Sequence, residues 1–121
     1  MRTLSTQVRL RRLIRAFGEA VDRLVSEPAD RQLAAGAVAR LQELAAGVRE
    51  SWAREALAGR PEAAVARFAE QSLRTVELAI AGLGQQGADL RLLERDFVDA
   101  ALPLELCLRG LDAQPALQRS A

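Results

Sequence analysis

The chain has 121 residues, with 17 basic side chains against 16 acidic ones and half of its residues apolar. That is the size of one domain with enough apolar material for a real core, and its near-neutral charge does not mark it as a nucleic-acid binder by composition. Every basic residue is Arg, and His, Lys, Asn and Tyr are absent.

The missing residue types remove whole classes of chemistry. Without His there is no Ser-His-Asp or Cys-His site and no Glu-x-x-His di-iron pattern. Without Lys there is no Schiff base and no P-loop. The missing types use A/T-rich codons, so a GC-rich bacterial genome accounts for the bias. The single Cys107 excludes an internal disulfide and fits a reducing cytoplasm. No apolar run follows the early arginines, so no signal peptide is expected. The longest uncharged run, Leu78 to Ala88, is about half a membrane span. A soluble, cytoplasmic chain is expected.

Residues 1–26 read as a first helix, with Thr3 or Ser5 as its cap. Leu10, Leu13, Ile14, Phe17, Ala20, Val21 and Leu24 recur at helical spacing and form its apolar stripe. Gly18 lies inside it and predicts a close helix crossing. Residues 28–58 read as a second helix opened by Pro28 with Ser26 or Glu27 as cap, bent at Gly36 or Gly47, and stopped by Gly59. Its stripe is Leu33, Ala37, Leu41, Leu44, Ala45, Val48 and Trp52.

The third helix, Pro61–Leu83, is the element the others are expected to pack around. Val65, Phe68, Ala69, Ser72, Val76, Ala79, Ile80 and Leu83 fall on one side of it. Gly84 is the expected left-handed stop. Leu78 sits on its polar side. A fourth helix over 90–110 takes Asp89 as cap and Gly110 as stop. Its stripe, Leu90, Leu93, Phe97, Ala101, Leu104, Leu108 and Leu111, keeps phase across Pro103, which predicts one kinked helix rather than two.

The connections are short and no strand pattern occurs. The predicted fold is all-α: an up-down-up-down antiparallel four-helix bundle over 1–111, kinked at Pro103, with a frayed tail over 112–121. Residues 1–60 carry 11 Arg against 7 acids, and residues 61–121 carry 6 against 9. That asymmetry favours association of the two halves or of two chains.

Candidates for chemistry are few. Asp96 and Asp99 are surface neighbours on one helix, and Glu94 has Arg91 and Arg95 beside it. A metal or acid–base site needs carboxylates aimed into the core, and the only polar members of the stripes are Ser51 and Ser72. No cofactor, metal or catalytic residue is therefore expected. Cys107 lies among Leu104, Leu106 and Leu108 and is expected to pack rather than react. Arg9, Arg11, Arg12 and Arg15 form a basic run that can contact nucleic-acid phosphates or an acidic partner. Stacking aromatics are scarce, and Trp52 and all three Phe fall on core stripes.

Leu92, Leu102 and Leu106 lie opposite the core stripe of the fourth helix. With Leu78 they predict a second apolar surface, the mark of an oligomer or partner interface. The leading expectation is a non-catalytic interaction protein, a homo-oligomer or a partner-binding assembly, adaptor or regulatory factor. The Pro61-Glu62 helix start, followed by Phe68 and Gln71 in an Ala-rich amphipathic helix, resembles bacterial phasins over the third of the chain from Trp52 to Leu90. That resemblance implies an amphipathic coat on polymer granules. A small helical chain with a basic end is also similar in general shape to small subunits of CRISPR effector complexes, which implies nucleic-acid binding through the Arg run.

Overall fold

The computed structural model describes residues 4–59 and 61–113. They form four helices: α1 (Thr6–Ser26), α2 (Arg31–Leu57), α3 (Ala63–Gly82) and α4 (Leu90–Ala113), with no strand among the described residues.

Three helices begin where a side-chain oxygen can satisfy a free backbone N–H. Ser5 accepts from the Val8 amide at 3.2 Å, Asp30 from Leu33 at 2.9 Å and Asp89 from Leu92 at 3.1 Å. The second of these corrects the expected start at Pro28. Pro28 lies in the turn, and the helix waits for the Asp30 carboxylate. α3 starts at Glu62, whose side chain makes no capping bond, and Pro61 precedes the cap.

The helix ends also differ from expectation in two places. Gly59 adopts φ 71°, as a stop requires. Gly84 does not have positive φ; α3 instead tightens through successive three-residue bonds, Leu83 to Ile80, Gly84 to Ala81 and Gln85 to Gly82. The left-handed residue in this connection is Gly87, with φ 75°. α4 runs past Gly110 to Ala113. Of the tail expected from Asp112, the first two residues close α4 and the rest lies outside the described residues. α2 is unbroken through Gly36 and Gly47, and α4 is unbroken through Pro103.

Each helix packs on two others: α1 on α2 and α4, and α3 on α2 and α4. The pairings run along the helices. Thr6 at the start of α1 bonds Ser51 near the end of α2, and Gln7 bonds Glu105 near the end of α4. Phe17 stacks on Phe97, with ring centroids 3.8 Å apart, and Asp22 meets Arg91 at 3.6 Å. One core results, filled by Leu10, Leu13, Phe17 and Val21 from α1, Leu41, Val48 and Trp52 from α2, Leu73, Val76 and Ile80 from α3, and Phe97, Ala101, Leu104 and Leu108 from α4.

One apolar position on α3 read as core lies outside it, and one that the stripe did not include lies within it. Phe68, expected in the core, is 40% exposed, whereas Leu73 is buried. They sit on opposite edges of the apolar sector, and the arc that α2 and α4 enclose is rotated toward Leu73.

The close crossing expected at Gly18 is found at Gly82 instead. A Cβ at Gly18 would meet nothing within 4 Å, whereas one at Gly82 would lie 2.8 Å from a Leu93 methyl. Gly82→Val is therefore expected to destabilise the fold by about 1–3 kcal/mol through overpacking. Gly36→Ala, in open space in mid-helix, is expected to stabilise it by about 0.5–1 kcal/mol. Urea denaturation of the two variants beside wild type checks the opposite signs.

Candidate interaction surface

α4 turns one side to the core and leaves the other to solvent. Its buried residues Phe97, Ala101, Leu104, Glu105 and Leu108 define the inner arc. Leu102 and Leu106 stand one turn apart on the outside, 47% and 60% exposed, and Leu92 is 46% exposed about 15 Å nearer the helix start. A single exposed leucine is ordinary; two adjacent on one helix face leave a continuous apolar strip in water.

Leu78 is 66% exposed but lies on the back of α3, away from this strip. The groove between α3 and α4 is lined by Phe68, Gln71 and Thr75 on one side and Asp96, Asp99 and Ala100 on the other. Leu102 and Leu106 both lie on the solvent side of the buried Glu105. Leu92, Leu102 and Leu106 thus share the outer face of α4, and Leu78 stands on a different helix.

Beside Leu106, the buried Glu105 carboxylate accepts from the Gln7 amide at 3.0 Å and from Arg109 at 2.8 and 3.1 Å, with the Arg11 guanidinium 4.0 Å away. This corrects the expectation that the core-facing stripes hold no carboxylate. A charge in sequence reads as solvated, and the bonds from Gln7 of α1 and from Arg109 make its burial tolerable. The Gln7 bond holds the Glu105 carboxyl below its ordinary range, Arg109 and Arg11 act in the same direction, and burial opposes them. The Arg109 bond was legible, because the two residues are four apart on one helix. Thr6 and Ser51 form a second buried polar contact, with hydroxyls 2.7 Å apart.

The N-terminal arginines differ in their surroundings. Arg9 is half-buried, donates to the Leu4 carbonyl at 3.3 Å and lies against Gly47. Arg11 faces Glu105. Arg12 and Arg15 are exposed. Cys107 is half-buried.

A second grouping, absent from the sequence reading, ties α2 to α3. Arg49 makes paired bonds to Glu77, both 2.8 Å, and to Glu70 at 2.9 and 3.1 Å. The Glu77 bond, with Glu70 adding to it, pushes the guanidinium further from neutrality. Beside it an open groove of about 680 Å³ is lined by Ala45, Ala46 and Ala53 together with Gln42, Glu50 and Ile80. Three alanines leave space that larger side chains would fill. The partners are partly solvated, so the clamp is worth about 1 kcal/mol at most.

No three His, Cys, Asp or Glu side chains converge among the described residues. No described helix is long and apolar enough to cross a membrane. Comparison with known families, with characterised proteins and with solved structures finds no match.

Proposed function

We propose that the protein is a non-catalytic interaction protein, an up-down-up-down antiparallel bundle kinked at Pro103 that works in the cytoplasm by joining a partner or further copies of itself. The observation that carries this reading is the exposed Leu102–Leu106 strip on the outside of α4. Half-exposed leucines at successive turns keep apolar surface in water, and its burial against another surface is favourable. The start-to-end pairings of α1 with α2 and α4 support the antiparallel topology. The lack of His and Lys supports a role other than catalysis.

A nucleic-acid interface is the weaker reading. Arg9 is engaged within the chain, and Arg11, though exposed, stands 4.0 Å from the Glu105 carboxylate, which leaves Arg12 and Arg15 without a contact of that kind.

Native mass of the purified chain, together with whatever copurifies from the source cells, tests the proposal. Wild type is expected to run above monomer mass or with a stoichiometric partner, and Leu102→Asp/Leu106→Asp to lose that mass while keeping its helical circular dichroism. A monomer at high micromolar concentration with no partner recovered would overturn it.

A further inference from the structure

The outer face of α4 carries more than two leucines. Leu92, Arg95, Asp99, Leu102 and Leu106 follow one another at steps of three, four, three and four, which is the spacing of the seam positions in a coiled coil. All five are exposed. At about 100° per residue their centre lies roughly 170° from that of Phe97, Ala101, Leu104 and Leu108. α4 thus has two seams, and only the inner one is covered.

The two charged members of the outer seam lack ion-pair partners among the described residues. Their neighbours are engaged: Arg91 with Glu94 and Asp22, and Arg109 with Glu105. Arg95 and Asp99 stand between Leu92 and Leu102 as an unanswered pair of opposite sign.

Resting on the interaction reading above, we propose that the partner is a second copy of this chain, with the two α4 helices antiparallel across a two-fold axis. In that register Leu92 of each copy meets Leu102 of the other, and Arg95 of each meets Asp99 of the other. The two-fold makes the contact self-complementary, so each leucine pair and each ion pair occurs twice. The charges also exclude the alternatives. A parallel pairing sets Arg95 on Arg95 and Asp99 on Asp99. An antiparallel pairing shifted by seven residues sets Asp99 against Leu102 and Arg95 against Leu106, which desolvates each charge without a partner. One helix pair is at the small end of specific interfaces, so the dimer forms and dissociates with concentration.

Sedimentation equilibrium of the full chain tests this, with charge reversal at the two exposed polar positions. R95E and D99R are each expected to weaken dimerisation by at least about tenfold, because each sets like charges opposite one another twice. The double variant R95E/D99R is expected to dimerise as wild type does. Mixing the two single variants is expected to restore dimer mass. The carboxylate introduced by R95E then faces the guanidinium introduced by D99R, and the native Asp99 of the first chain faces the native Arg95 of the second. A wild type that is monomeric at high micromolar concentration overturns the proposal. So does a mass that single reversal leaves unchanged, or a mixture that stays monomeric. An oligomer that Leu102→Asp/Leu106→Asp dissociates but R95E does not would overturn the pairing while leaving the wider interaction reading standing.

Discussion

Phe97→Ala is expected to remove about 3–5 kcal/mol of stability, the largest loss of any single truncation considered. The ring is fully buried and stacks on Phe17 at 3.8 Å with an interplanar angle of 8°, where α1 and α4 pack. Truncation removes the transfer free energy of the ring and leaves a cavity that the surrounding helices, fixed by three other seams, cannot close. Against a total stability of about 5–15 kcal/mol this brings the fold near its threshold. The measurement is the urea midpoint, or a fall in melting temperature on the order of 15 °C. Phe97→Leu, which keeps more of the volume, is expected to cost less. In a double-mutant cycle, truncating Phe17 as well should reveal the coupling of the two rings, expected at the lower end of about 0.5–1.5 kcal/mol because near face-to-face stacking is the less favoured arrangement.

Glu105→Gln comes next, with an expected loss of about 1.5–3 kcal/mol near neutral pH. The change keeps size and shape but removes the charge that the Gln7 and Arg109 bonds serve. The loss depends on pH, and its sign follows from the folded state. The carboxyl is held below its usual value near 4.5, chiefly by Gln7 and then by Arg109 and Arg11, against the effect of burial. A carboxyl depressed on folding contributes stability that is fully present above its unfolded pKa and is lost as pH falls through the folded value. The gap between wild type and Glu105→Gln should therefore be widest at neutral pH and close in acid below about pH 4. Urea denaturation at a series of pH values reads it directly. A gap that does not change with pH would mean that the carboxylate charge is not what the site uses.

Much of the fold was legible because helical periodicity is a local property. Four of the seven residues in the predicted stripe of the fourth helix, Phe97, Ala101, Leu104 and Leu108, are fully buried, and none is exposed. Caps that depend on one short side chain, Ser5 and Asp89, could be read as well. What could not be read depends on neighbours. A helical wheel gives the direction of the apolar sector but not where two packing helices cut its edges, so Phe68 was placed in the core and Leu73 was left out of it. Asp30 displaced Pro28 as the start of α2 because a carboxylate gives the Leu33 amide a partner and proline cannot. Glu105 and Arg49 show the same limit for the site. Their ionic partners include residues from other helices, and no spacing within one helix announces such a meeting.

The Arg49 clamp has a consequence for how the helices hold together. The other packing seams rest mainly on interlocked apolar side chains, whose strength follows temperature through hydration, although α1 and α4 also share the ring stack and the Asp22–Arg91 and Arg11–Glu105 ion pairs. The seam between α2 and α3 has alanines where the others have larger groups, and it is spanned by one guanidinium reaching two carboxylates. Dissolved salt screens that attraction and leaves apolar burial nearly untouched. Ionic strength therefore loosens the tie between α2 and α3 by about 1 kcal/mol at most, whereas it is cooling that weakens the apolar burial dominating the other seams.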